Sequence, residues 1–308
     1  MRTVVVGGQG FLGGAIVADL LARGDGVTVF DQMADSATCD AIFGPGSVRV
    51  VRGDIGDPAA LQMAFKDAEE VYHLAGVLGT SELEDSVLGA IHGNVIGAVN
   101  VFDAAIACRV PVVFFPSKPN VWLNTYTVTK YAAEQFARLY TMHRSVRIPS
   151  LRYFNAYGPR QSIVPIRKLV PTFAVQAMKG LPLTVYGEGD QMVDLIFSVD
   201  LARLTVDFTR ACFDGEPLDC GRGLPVSVME IATAVNDFFD NQAGVLHLPM
   251  RRGEIAGTLL VADREALEQV VGPRTFTDFD ESLSTTLRWY ASRTTKEIEH
   301  AAASLLAA

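Results

Sequence analysis

Short apolar runs and longer helical patterns alternate through the first half of the chain. The runs "TVVVGG", "GVTVFD", "VRVVRGDI", "EVYHLAG" and "VPVVFFPS" are rich in β-branched residues. Each is apolar at successive positions, which predicts strands buried on both faces. The stretches "FLGGAIVADLLARG", "GAIHGNVIGAVNVFDAAIAC" and "YTVTKYAAEQFARLYTMH" carry apolar residues at helical spacing. Buried strands linked by helices predict an α/β fold with a doubly wound parallel sheet.

The second half changes character. "RYFNAYGPRQ" is dense in turn-formers and aromatics, and "VPTFAVQAMKGLPLTVYGEGDQ" reads as helix, turn, short strand and glycine-rich turn. In "LPVSVMEIATAVNDFF", Ser227 followed by Glu230 predicts a capping box opening a helix. "FSVDLARLTVDFTRACF" predicts a helix returning to the first domain. The expected organisation is a first domain over residues 1–155, joined again by 197–224, and a smaller α/β domain over 156–196 and 225–308. "TTKEIEHAAASLLAA" reads as an amphipathic helix.

The first strand and helix are joined by Gly7, Gly10 and Gly13, in the order GxxGxxG. Glycine permits a tight turn and lets the backbone approach a pyrophosphate, while the helix N-terminus offers free N–H groups. Asp31 ends the second strand, where a carboxylate accepts both ribose hydroxyls of an adenosine and repels a 2′-phosphate. Gln32 follows it rather than arginine, so NAD is expected over NADP. Asp54 in "RGDI" could bond the adenine amino group or cap a turn.

The 308 residues are 49% hydrophobic and 20% charged, ordinary for a globular protein. A net charge of −9 disfavours nucleic acid as a partner. Four cysteines (Cys39, Cys108, Cys212 and Cys220) form no CxxC pair, so reduced thiols in a cytoplasmic protein are expected, without disulfide framework or zinc site. The N-terminus reads directly as a strand, and no apolar run of about eighteen residues occurs, so neither a signal peptide nor a membrane span is expected.

The GxxGxxG turn, "RGDI", "HLAG", "NVIGAVNV", the Tyr126-xxx-Lys130 pair, "RYFNAYGPRQ" and "PLTVYGEGDQ" occur in this order. Together they resemble the extended short-chain dehydrogenase/reductase family, the NAD-dependent nucleotide-sugar epimerases and dehydratases. The resemblance runs from Met1 to beyond Asp263. It implies a Rossmann-type NAD domain, with Gly7, Gly10, Phe11, Leu12, Asp31, Asp54, Ile55, Leu74, Ala75, Gly76, Asn94, Tyr126 and Lys130 contacting the cofactor. It implies a smaller C-terminal domain for a nucleoside-diphosphate sugar, and a homodimer built on a four-helix bundle from the helices at 95–108 and 126–143.

A free tyrosine is a poor base at neutral pH. A lysine one helical turn away and the positive ring of oxidised nicotinamide both favour its phenolate. Tyr126 can then take a proton from a sugar hydroxyl, with Lys130 as its electrostatic partner. Spacing alone also suits an exposed i,i+4 pair; the ordered motifs around it favour chemistry. The family carries a serine or threonine after the fifth strand, and aligning "KPNVWL" puts Lys118 in that place with Ser117 just before it. Ser117, Thr125 or Thr80 could supply the hydroxyl, or Lys118 could donate to the sugar oxygen directly. Where 4,6-dehydratases carry an Asp-Glu pair this chain has Pro119 and Asn120. Glu82 is a candidate acid or base, or a solvated loop residue.

At the substrate end, Asn155, Thr80 and one of Arg251 and Arg252 are implied to contact the sugar nucleotide. A second phosphate-binding arginine of the family is replaced by Val193. The reading is a nucleotide-sugar epimerase acting at C4 through a transient keto sugar. The alternatives are a dehydratase of unusual type, or a non-catalytic NAD-binding sensor on the same fold.

Overall fold

The computed structural model describes residues 1–79, 82–119, 123–164, 168–211, 213, 215–250 and 259–306. It divides into two compact units. The first comprises Met1–Tyr153, Leu201–Cys220 and Arg264–Arg274. The second comprises Phe154–Asp200, Gly221–Asp263 and Thr275–Ala308.

The first unit is built on seven parallel strands: β1 (Arg2–Val6), β2 (Gly26–Asp31), β3 (Val48–Arg52), β4 (Glu70–His73), β5 (Val113–Ser117), β6 (Ser150–Tyr153) and β10 (Leu218–Cys220). Their order across the sheet is β10-β6-β5-β4-β1-β2-β3, the doubly wound pattern expected from apolar strands separated by helices. The helices are α1 (Phe11–Ala22), α2 (Ser36–Phe43), α3 (Pro58–Phe65), α4 (Val87–Ala90), α5 (Gly97–Ala107), α6 (Thr125–His143), most of α8 (Ser198–Arg210), and α10 (Arg264–Val271). The short helices α2 and α3 carry no long apolar stripe, but their starts are written locally. Asp35 accepts from the Thr38 N–H, and Asp57 from those of Ala59 and Ala60 with Pro58 at the first helical position.

One face of this sheet, carrying Val4, Val6, Val71, Val113 and Phe115, packs against α5 and α6 in a single core. Helices α4 and α5 are joined by a π-helical stretch, Ile91–Ile96. The segment Val87–Ala107 is long and apolar enough to cross a membrane by composition. Its buried residues, among them Ala98, Val101, Phe102 and Ala105, belong to the core, so its hydropathy serves packing.

The second unit contains β7 (Asn155–Tyr157), β8 (Leu183–Tyr186), β9 (Met192–Phe197), β11 (Pro225–Ser227), β12 (Val245–Leu248) and β13 (Leu259–Leu260). Strand β9 pairs with β7 and β13 in parallel and with β11 antiparallel, and β12 pairs with β8. Helices α7 (Leu169–Met178), α9 (Val228–Phe239), α11 (Phe279–Ala291) and α12 (Thr295–Leu306) complete it. The capping box that opens α9 is present, with Ser227 and Glu230 exchanging bonds. The helix Arg264–Val271, expected in the second domain, clusters instead with the first unit, where it packs beside β10.

Asp194 on β9 is fully buried, and its carboxylate accepts from the backbone N–H groups of Arg222 (2.7 Å), Gly223 (2.9 Å) and Ala262 (3.0 Å). It organises two loops of the second unit at once. Asp194→Ala leaves three donors without an acceptor and is expected to destabilise this unit by about 3 kcal/mol, seen as an earlier thermal transition by circular dichroism.

Candidate active site

The turn after β1 requires its glycines. Gly7 has φ of +82°, and a Cβ there would lie 2.7 Å from the Ala75 nitrogen. A Cβ on Gly13 would overlap the Gly7 carbonyl oxygen. Gly10 is the N-cap of α1 and offers no side chain to its first turn, which begins with Phe11 and Leu12. The free N–H groups of that turn and its positive dipole end suit a phosphate. At the end of β2, Asp31 accepts from Gln9 N (3.3 Å) and Met33 N (2.9 Å), one bond to each oxygen. Both oxygens keep a lone pair for a ribose hydroxyl.

Of the other residues read as cofactor contacts, several have clear local work. Asp54 is exposed and accepts from Gly56 N at 2.6 Å, so its carboxylate caps a turn. Ile55 is half-buried beside Gly97, where a larger residue would collide with it. Leu74 and Ala75 continue β4, both donating to the Val6 carbonyl. Asn94, in the π-helical stretch, is buried. It accepts from Val77 N (2.9 Å) and donates to Val77 O and Thr129 Oγ1, both at 3.1 Å. With both amide hydrogens engaged by protein, Asn94 positions the loop after β4 against α6. Thr80, Arg251 and Arg252 lie outside the described residues. Asn155 is on β7 of the second unit. Val193 packs against that unit's core, a role its apolar side chain suits.

The pair read as reactive, Tyr126 and Lys130, is carried by α6. Asn124 and Thr127 form a capping box that fixes where this helix starts, and so places Tyr126 in its first turn and Lys130 one turn further on the same face. Lys130 is 8% exposed, and its Nζ lies 4.2 Å from the centre of the Phe115 ring. Among the described residues it makes no hydrogen bond or ion pair. Burial brings its ammonium down to about 7, helped by the like charge of Lys118 and opposed by Glu134. Burial pushes the Tyr126 phenol well above its usual value. The lowering expected of Lys130 on Tyr126 is therefore not a property of the cofactor-free protein.

The sheet face beneath α6 completes the cluster. Pairing of β5 with β6 sets Phe115 beside Ser150 and Ser117 beside Arg152, and pairing of β4 with β5 runs in register through Tyr72 and Phe114. Side chains alternate along strands, so His73, Phe115, Ser117 and Arg152 share one face. Among the described residues the buried Ser117 hydroxyl has no hydrogen-bond partner, and nor has His73 Nδ1. His73 is pushed down to about 3 by burial and then by Lys130, so it is neutral. Lys118 follows Ser117 and is half-buried. A buried hydroxyl with no partner is costly unless something else occupies the site. Of the hydroxyls proposed from sequence, Ser117 has this character. The glycine cradle, the Asp31 carboxylate and these unmet polar atoms fit a dinucleotide with an alcohol substrate.

Sequence reading passed over His73, Glu134 and Arg152. The spacing 126, 130, 134 was a usable signal, because it puts Glu134 on the helix face of the reactive pair. A lysine with a lowered folded value destabilises the fold where it is charged in both states, below about pH 7, and this penalty fades as pH rises toward 10.5. Lys130→Met is therefore expected to raise the melting temperature, more so below about pH 7 than near pH 10.5, as measured by calorimetry across that range.

Comparison with known proteins agrees with this architecture. The chain is 22% identical to a UDP-N-acetyl-alpha-D-glucosaminuronate decarboxylase of Bacillus cytotoxicus, over 97% of this chain and 99% of that protein. It is 29% identical to UDP-glucuronic acid decarboxylase 4 of Arabidopsis thaliana over 81% of this chain, spanning 60% of the plant protein. The fold is shared with the UDP-glucose 4-epimerase of Thermotoga maritima solved with UDP-glucose, at TM-score 0.86 and 20% identity over 94% of this chain and 99% of that one. It is also shared with the UDP-glucose 4-epimerase of Thermus thermophilus in complex with NAD, at TM-score 0.82 and 26% identity over 96% of this chain and 100% of that one. The sequence pattern of the NAD dependent epimerase/dehydratase family matches residues 3–219, and the chain belongs to that family of NAD-dependent enzymes.

Proposed function

We propose that the protein is a nucleotide-sugar 4-epimerase acting through a transient 4-keto sugar. The observation that carries this reading is the buried Ser117 hydroxyl, without a partner among the described residues, on the sheet face where Lys130 lies. NAD would be held by the first turn of α1 through Gly10, Phe11 and Leu12, by Asp31 at the ribose, by Ile55, Ala75 and Gly76 along its length, and by Lys130. When bound, it supplies the hydride acceptor and a positive charge. Tyr126 takes the proton from the sugar hydroxyl as phenolate and returns it after the sugar has turned over. Ser117 bonds the same oxygen and replaces the hydrogen bonds it had in water. Because burial holds the phenol protonated in the empty protein, ionisation of Tyr126 is tied to an occupied site. Pro119 and Asn120 offer no acid or base for removing water. Asn155 and one of Arg251 and Arg252 are the groups we assign to the sugar nucleotide.

A second reading is favoured by Lys118. Its charge acts on Lys130, and two ammoniums near one site suit a sugar that brings a carboxylate. Oxidation at C4 leaves the C6 carboxylate of a uronate β to a ketone, a position from which carbon dioxide is readily lost. Both readings share their first step. A panel of nucleotide hexoses and uronates followed by NMR separates them: a C4 epimer is expected, and release of carbon dioxide from the uronates alone would favour decarboxylation. Tyr126→Phe is expected to lower turnover between about 100- and 10,000-fold; turnover equal to wild type would exclude Tyr126 as the base.

We further propose a homodimer through α6 and the α4–α5 segment. Val128, Tyr131, Leu139 and Met142 line one exposed face of α6, and Leu88, Ile91 and Ile96 are exposed on the preceding helical segment. Apolar residues at this spacing suit helix-on-helix packing. Among the described residues Cys39, Cys108 and Cys220 form no disulfide, which suits a reducing, cytoplasmic setting. Leu139→Glu is expected to give a monomer in light scattering where the wild type gives twice the chain mass.

A further inference from the structure

Glu134 is fully buried, four residues after Lys130 on the same face of α6. Its oxygens accept from Arg152 Nε at 3.0 Å and Arg152 Nη2 at 2.8 Å. Arg152 is the register partner of Ser117 on the neighbouring strand, so this fork and the buried hydroxyl lie on one face of the sheet. A carboxylate removed from water does not stay ionised alone, and a two-pronged guanidinium is the geometry that keeps it charged. The negative end of that fork lies one turn from a lysine that has no hydrogen bond or ion pair among the described residues. We propose that Glu134, locked by Arg152, is the positioning residue that keeps Lys130 protonated and in place for the cofactor.

The other groups around Lys130 do not substitute for it. Lys118, following β5, pushes the lysine toward its neutral form, while Glu134 pulls it back. His73 from β4 is buried and neutral. Tyr126, earlier on α6, is held in its protonated form by burial. Asp219 on β10 and Glu216 just before it act on Arg152, and so support the fork.

The inference rests on the assignment of Lys130 to the NAD site, and the test separates the two. The protein is labelled with ε-carbon-13 lysine, and the Lys130 signal is identified by its loss in Lys130→Arg. In the cofactor-free wild type it is expected to titrate near about 7. Glu134→Gln keeps the shape and an acceptor oxygen for Arg152, and is expected to move the midpoint down by about one unit. NAD affinity, read by calorimetry, should fall by up to about tenfold at neutral pH in the variant and recover near about pH 5, below the midpoint of both proteins, where Lys130 is charged in each. If that variant does not fold, Glu134→Gln combined with Arg152→Lys keeps the half-buried cation and gives the glutamine oxygen a slimmer donor, and the same downward shift is expected. A midpoint that stays in place in a folded variant, or an affinity loss equal at both pH values, overturns the role of Glu134. A wild-type protein that binds no NAD overturns the cofactor assignment instead, whatever the titration shows.

Discussion

The chemistry of the first unit depends on one packing contact, α6 lying on the face of β4, β5 and β6. Ala133 and Ala137 bring the helix close enough to join the core around Phe115 and Phe102. That closeness places the Lys130 ammonium over the Phe115 ring. It also sets Glu134 against Arg152, and the Ser117 hydroxyl on the same sheet face is buried. Small residues at 133 and 137 are therefore what sets the depth at which α6 carries its polar side chains. A larger side chain there would lift the charged residues off the sheet together.

Low dielectric under the helix makes every charge consequential. A lysine, a glutamate and an arginine meet there. An isolated charge in that setting would neutralise itself. The Glu134 carboxylate is met by the two-pronged Arg152 guanidinium, while Lys130 is left near the point at which it loses its proton. Tyr126 is displaced in the other sense, toward the neutral phenol. The lysine's displacement is a cost the empty protein bears at neutral pH, whereas the tyrosine's is a barrier to forming the phenolate. A site poised this way distinguishes being occupied from being empty.

Lys118 sets this chain apart from the pattern it resembles. Where a serine or threonine stands in the family pattern this chain has Lys118, and the buried hydroxyl nearest that place is that of Ser117, one residue earlier at the end of β5. The exchange keeps a buried hydroxyl on the sheet face and adds positive charge at the rim. Val193 is a second departure. Half-buried against the second unit's core, it stands on β9 where the resemblance implies a second phosphate-binding arginine.

Much of the fold was legible in the sequence because its causes are local. Apolar β-branched runs define the central strands, helical periodicity defines α1, α5, α6 and α7, and the Ser227–Glu230 box marks the start of α9. The glycine turn was legible for the same reason: only residues without a side chain fit Gly7 and Gly13. Tyr126 and Lys130 were legible as neighbours on a helix. What the sequence could not decide came from strand register and helix docking. Which hydroxyl is buried without a partner follows from the pairing of Ser117 with Arg152, residues 35 apart along the chain. The opposing shifts of Tyr126 and Lys130 come from desolvation, which depends on what lies over them. The tasks of Asn94 and Glu134 depend on partners from other elements, Val77 and Thr129 for one and Arg152 for the other. Spacing names which residues can meet along one helix; long-range packing decides which of them lose their water, and burial then sets their charge.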